Sequence, residues 1–168
     1  VGNPRLSIWV CGEEIKAAPQ IELAAVPGAF PRIYSFSQEF KNPILADPEG
    51  SPKVKINFKL LVGLKKNLTG DFGIDVFGNG RLFDEFLKTQ FGYGDRLAEA
   101  TQGNKYLRGF LYMTGHSVVI PWDTHKREYQ SSTEVAEWLK NNLNKIVSSY
   151  CKVSQFLAQS GKTALRKE

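Results

Sequence analysis

The segment WDTHKREY, which begins at Trp122, places five ionisable side chains almost side by side. It lies between a strand-like run and the longest helix-like run of the sequence. The ionisable residues are Asp123, His125, Lys126, Arg127 and Glu128. Such a segment is either an ordinary solvated connection or a loop from which one charge contacts a ligand outside the domain. The segment by itself leaves both interpretations open.

The other motif-like segments do not form a complete active site. The glycine-rich run at 91–103 lacks the Gly-Lys-Ser/Thr ending of a phosphate-binding loop. The Asp-Phe-Gly triplet at 71–73 resembles the magnesium triplet of protein kinases, but no catalytic loop precedes it. Neither His116 nor His125 has the surroundings of a Ser-His-Asp arrangement. We therefore expect that the chain is not an enzyme by itself.

Basic residues provide candidate contacts to nucleic acid. The chain has 22 Lys and Arg against 17 Asp and Glu, a net charge of +5, which permits a nucleic-acid partner without requiring one. The candidates are Lys53, Lys55 and Lys59 on one predicted strand, together with Arg81 and Arg108 beside aromatic residues. Basic strand faces are more often solvated than bound to phosphate. We expect any such binding to be weak and to depend strongly on salt.

The composition is that of one ordered globular domain, with 42% hydrophobic and 12% aromatic residues. Cys11 and Cys151 lie far apart and match no metal-ligand spacing, so no metal site is expected. Two reduced thiols indicate an intracellular protein, cytoplasmic or nuclear. No apolar run approaches the ~18 residues of a membrane span and no signal peptide is evident, so no membrane partner is expected.

Strands and one long helix are the elements that must position these residues. Apolar and polar residues alternate over 53–64, which predicts a half-buried strand with a basic outer face. Two strands flank the turn Gly78-Asn79-Gly80 within 72–83, because Asn and Gly tolerate positive φ. Further strands are predicted at 21–26, 32–40 and 106–115, with a hairpin over 5–17.

The C-terminal part predicts the helix. From Val135 to Leu157, apolar residues recur at spacings of three and four. Ser131 and Glu134 have the spacing of a capping box, which places the helix start near Ser131. The order of several strands followed by a helix predicts an α+β fold with a mixed, largely antiparallel sheet.

The segments from Lys53 to about Lys152 resemble the transducer domain of the ATPase superfamily that groups gyrase, mismatch-repair proteins, heat-shock chaperones and histidine kinases. They are most similar to microrchidia-type ATPases, in which a G-x-x-x-Y-x-x-N-R-L-I hairpin and a G-V-x-G-V strand precede T-H-N-K-Q-x-F. Here the corresponding parts are Gly73 to Phe83, then RGFLYM, then THKREY from Thr124. The sequence departs from the pattern in lacking the Asn before Lys126 and in the less Gly-rich strand.

The resemblance implies the fold of the second domain of ribosomal protein S-five, a mixed sheet backed by helices with a left-handed crossover, which the usual handedness rule would not predict. Residues 1–20 would then form a hairpin that links a missing upstream ATP-binding domain to the transducer domain. The transducer domain would span 21–160, and 161–168 would be a frayed basic tail.

The same resemblance implies a role for Lys126. In this superfamily a transducer lysine contacts the terminal phosphate of ATP, and Lys126 matches that lysine, with Thr124, His125 and Glu128 as supporting loop residues. ATP and Mg²⁺ are expected in the full-length protein rather than in this fragment. The implied partners are the upstream domain and a second copy in a homodimer. The alternative is a stand-alone module on the same fold that binds nucleic acid or protein.

Overall fold

The computed structural model describes residues 8–10, 13–15, 23–42, 50, 52–66, 71–87, 105–122, 125 and 128–159. In chain order the strands are β1 (Ile8–Val10), β2 (Glu13–Ile15), β3 (Leu23–Ala24), β4 (Arg32–Lys41), β5 (Lys53–Lys65), β6 (Gly73–Gly78), β7 (Arg81–Leu87) and β8 (Leu107–Gly115). The helix α1 (Glu134–Gln159) follows. The predicted α+β fold is confirmed.

The strands form two sheets. β1 and β2 pair with each other in antiparallel fashion, within the hairpin predicted over 5–17. The other six form a single sheet with the order β3-β5-β8-β6-β7, and β4 also pairs with β5. Only β6 and β8 are parallel among these pairs, so the predicted mixed, largely antiparallel sheet is confirmed. The chain between β7 and β8 includes 88–104, outside the described residues, and the left-handed crossover stays a prediction.

Strand β5 shows why the sheet has two different faces. Successive side chains of a strand point to opposite sides. On the inner face, which packs against α1, the side chains are buried: Ile56, Phe58, Leu60, Val62 and Leu64. On the outer face, Lys53, Lys55, Asn57 and Lys59 are exposed. The predicted alternation is confirmed, and the core lies between the inner face and the helix.

The β6–β7 hairpin turns at Asn79 and Gly80, within the predicted turn Gly78-Asn79-Gly80. Asn79 and Gly80 have φ values of 48° and 80°, as a type I′ turn requires. The Asn79 amide also donates to the Gly115 carbonyl at 3.0 Å and accepts from the Gly115 N–H at 3.0 Å. The turn is therefore tied to the end of β8.

Helix α1 begins at Glu134, and its cap differs from the prediction. The Thr133 Oγ1 accepts a hydrogen bond from the Ala136 N–H at 3.1 Å. The predicted capping box, in which Ser131 is the capping residue, is wrong, because the capping side chain must directly precede the first helical residue.

Helix α1 packs against the inner face of the sheet through Trp138, whose ring stacks on that of Phe58 with 5.2 Å between ring centroids. No helix within the described ranges is both long and apolar enough to cross a membrane.

Candidate functional site

The loop that carries the sequence-predicted site, residues 123–128, is closed at its base. Trp122 and Tyr129 form an isolated antiparallel bridge across its two ends. Beside this bridge, the Gln130 N–H donates to the Pro121 carbonyl at 2.8 Å. The two ends of the loop are therefore held next to each other.

The upstream end of loop 123–128 is packed against the β6–β7 hairpin. The Trp122 ring meets Phe83 edge to face, with 5.7 Å between centroids. Its Nε1 donates to the Ser117 carbonyl at 2.9 Å. A Cβ at Gly78 would lie only 2.9 Å from this ring, so glycine permits the close approach of the hairpin. The position of Trp122 is thus fixed by an aromatic contact, a hydrogen bond and a glycine.

The downstream end is tied to the same hairpin and to α1. The Asp84 Oδ2 accepts from the Tyr129 N–H at 3.0 Å, while its Oδ1 accepts from the Glu85 N–H at 2.9 Å. Tyr129 is buried, and this burial raises the pKa of its phenol above the ordinary value. One residue further on, the Gln130 carbonyl accepts from the Thr133 hydroxyl, which also caps α1. The loop base is therefore continuous with the start of the helix.

Two of the four predicted loop residues belong to the described part of the chain. Lys126 and Thr124 lie outside it. His125 and Glu128 lie within it, and both are exposed. The contact of Lys126 with a nucleotide therefore stays a prediction, and so do the supporting roles of the other three residues.

The prediction that Arg108 contacts nucleic acid is wrong. Arg108 is 3% exposed, and its guanidinium makes a bidentate ion pair with Asp75, in which Nη1 lies 2.7 Å from Oδ1. Nη1 also donates to the Gly73 carbonyl at 3.3 Å. The Phe86 and Phe110 rings lie at 4.7 and 4.8 Å from the guanidinium carbon. The carboxylate of Asp75 and the two rings therefore hold the cation inside the protein.

The ion pair stabilises an irregular part of the β6–β7 pairing that the sequence did not reveal. The pairing register shifts around Val76, and Phe86 has a φ of 56°, in the left-handed region. The Phe86 N–H donates to the Asp75 Oδ1 at 3.1 Å. Nearby, burial and the Arg108 charge lower the pKa of Lys65, against the opposing effect of Asp71. The sequence signal that could have indicated this ion pair was Asp75, a single carboxylate in the otherwise apolar segment GIDVFG.

The remaining basic candidates are exposed, although they do not form one cluster. Lys53, Lys55 and Lys59 lie on the outer face of β5, as predicted. Arg81 is exposed at the start of β7, beside the hairpin turn. The structure therefore brings the three lysines together and leaves the two arginines apart from them.

Among the residues that the structure describes, no group of three or more His, Cys, Asp or Glu side chains could hold a metal ion. Comparison of the sequence with protein-family models gives no match, and comparison with curated proteins gives no significant match.

Proposed function

We propose that this chain is the transducer domain of a multi-domain intracellular ATPase. In this role Lys126 contacts the terminal phosphate of ATP, which is held with Mg²⁺ by an upstream domain of the same protein. The contact couples the nucleotide state to conformational change and to homodimerisation of the full-length protein. The observation that best supports this role is the closed, anchored base of loop 123–128.

The chemistry of lysine fits such a contact. A lysine ammonium is a compact point charge on a flexible stem, which suits it to bind a phosphate oxygen. The Trp122–Tyr129 bridge fixes the two ends of the segment that carries Lys126. Arrival or loss of a phosphate then changes the electrostatic environment of the loop rather than the packing of the core.

The contacts at the loop base provide a route from the loop to the rest of the domain. Tyr129 is bound to the hairpin through Asp84, and Gln130 is bound to the capping residue Thr133. A shift of the loop that displaces its base therefore acts on the hairpin and on the start of α1 together. Rigid elements that move in response to a phosphate are a common form of nucleotide switch.

The test compares Lys126→Ala with Arg127→Ala in the full-length protein. The two variants make the same charge change one residue apart. Loss of a charge-assisted phosphate contact costs ~1.5–3 kcal/mol, which corresponds to roughly a 10- to 150-fold loss of ATPase turnover. Arg127→Ala should retain the wild-type rate, and Lys126→Arg should restore only part of it, since a planar fork does not reproduce an ammonium.

Two results would contradict the proposal. The first is an equal, wild-type-like ATPase rate in Lys126→Ala and Arg127→Ala. The second is micromolar ATP affinity of the isolated 168-residue chain in a calorimeter, because a transducer domain contributes the sensing lysine and not the nucleotide pocket.

A further inference from the structure

The outer face of the six-stranded sheet carries an ordered row of side chains. Directly opposed residues of paired strands point to the same side of a sheet. The pairing registers therefore align one residue from each of five neighbouring strands: Ser35, Lys59, Tyr112, Phe77 and Leu82. The row passes from polar to basic to aromatic and apolar across the sheet.

An exposed aromatic residue lies in the middle of this row. The Tyr112 and Phe77 rings stack with 4.7 Å between centroids and 20° between planes. Tyr112 is 39% exposed, and Leu82, next to Phe77, is 40% exposed. A core residue would be covered, whereas this ring pair is held in a fixed orientation and still reaches solvent. An aromatic surface of this kind can stack on a nucleic-acid base without regard to base identity.

Tyr112 also borders a shallow depression of about 480 Å³ on the same face. The outer-face side chains around it are Ser35, Ser37, Asn57, Lys59, Tyr112 and Thr114. Hydroxyl and amide groups both donate and accept hydrogen bonds, as recognition of a base edge requires. The depression therefore combines a stacking surface with adaptable polar groups.

The charge of this face is complementary to phosphate. On the outer face of β4 and β5, the exposed charged residues are Lys41, Lys53, Lys55 and Lys59, and one carboxylate, Glu39. Alternate residues of a strand lie about 6.6 Å apart along one face. The β5 lysines therefore form a basic line that starts beside Tyr112 and runs along the sheet.

We infer that the outer sheet face binds single-stranded nucleic acid. One base stacks against Tyr112 at the depression, and the phosphate backbone follows Lys59, Lys55 and Lys53. A duplex is disfavoured because its bases are already stacked and a shallow sheet face cannot enter a groove. This inference involves neither loop 123–128 nor ATP, so it stands or fails separately from the proposed function.

The first test measures fluorescence anisotropy of a labelled oligothymidylate of about 16 nucleotides with the whole chain at about 50 mM salt. Tyr112→Ala should weaken binding about 5- to 150-fold, the range for loss of one stacked base. The matched control is Phe156→Ala, which removes a ring that is 66% exposed on α1. This control should bind like the wild type.

The second test does not depend on the aromatic pair and remains decisive if Tyr112→Ala fails to fold. Lys59→Gln should reduce the slope of log affinity against log salt by about 0.7, the value for one phosphate contact on a single strand. Lys145→Gln removes an exposed lysine of α1 and should leave the slope unchanged.

Three outcomes would overturn the inference. One is no binding of the oligothymidylate by the wild type at low salt. Another is equal affinity for a duplex of the same length or for polyglutamate, which would indicate charge attraction alone. The third is an equal effect of Lys59→Gln and Lys145→Gln on the salt dependence.

Discussion

At the scale of single residues, the buried ion pair between Arg108 and Asp75 links neighbouring strands of the sheet. It joins β8 to β6, and through the Phe86 N–H it also holds β7. Removing charges from water is costly, and the bidentate geometry with two flanking rings offsets that cost. Loss of either partner leaves the other charge buried without compensation.

We therefore expect Arg108→Met to destabilise the domain by about 3–5 kcal/mol, as breaking a buried ion pair does. The double variant Asp75→Asn/Arg108→Met should recover part of this loss, because no uncompensated charge remains. Urea unfolding monitored by circular dichroism gives the change in the free energy of unfolding. Arg81→Met, at an exposed position, is the control and should stay within about 0.5 kcal/mol of wild type. An equal free energy of unfolding for Arg108→Met and Arg81→Met would contradict a stabilising role of the Arg108–Asp75 ion pair.

At the scale of elements, local chemistry determined what could be predicted. The alternation over 53–64 and the Gly78-Asn79-Gly80 turn were predicted correctly, because each depends on neighbouring residues. The partner of Arg108 could not be predicted, since Asp75 is 33 residues away and joins it only after β6 and β8 pair. The anchoring of Trp122 by the hairpin escaped prediction for the same reason.

The exact start of α1 was harder to predict, because three consecutive hydroxyl residues, Ser131, Ser132 and Thr133, precede the helix and each could cap it. We expect Thr133→Ala to lower the free energy of unfolding by about 0.5–2 kcal/mol, the usual cost of losing an N-cap side chain. Thr133→Ser keeps the hydroxyl and should be close to wild type. Ser131→Ala tests the position that the sequence favoured, and it should change stability by less than about 0.5 kcal/mol. A larger effect for Ser131→Ala than for Thr133→Ala, measured by thermal unfolding, would contradict the observed cap.

At the scale of the whole molecule, the core contains acidic groups that stay protonated in the folded state. Burial raises the pKa of the Cys151 thiol to about 12 and raises the pKa values of Tyr129 and Tyr150 above their ordinary range. The Tyr150 hydroxyl also donates to the Phe30 carbonyl at 2.8 Å. These protons belong to the folded state and are lost on unfolding at alkaline pH.

The consequence is a stability that falls as the pH rises. A thiol in the unfolded chain ionises near pH ~8.5, so the contribution of Cys151 is complete below that pH and decreases towards its folded pKa. Ionisation of the Cys151 thiol in the unfolded chain should by itself lower the free energy of unfolding by about 2 kcal/mol between about pH 8.5 and 10.5. The lowered pKa of Lys65 acts in the opposite direction. Urea unfolding across this range measures the decline.

The variant Cys151→Ala provides the control for this pH dependence. It removes the titrating thiol, so its stability should fall less steeply over the same interval, whatever its stability at neutral pH. If the free energy of unfolding changed with pH at the same rate in the variant and the wild type, Cys151 would not be the cause of the pH dependence.

The position of β8 in the sheet has a consequence for the order of folding. The β4–β5 and β6–β7 pairs each join strands that are consecutive in sequence, so each can form early from a short stretch of chain. Strand β8 comes later and pairs with β5 on one side and β6 on the other. A nascent chain that ends before Leu107 holds both hairpins without the strand that joins them. Cooperative assembly of the sheet therefore waits for residues 107–115 to emerge during synthesis.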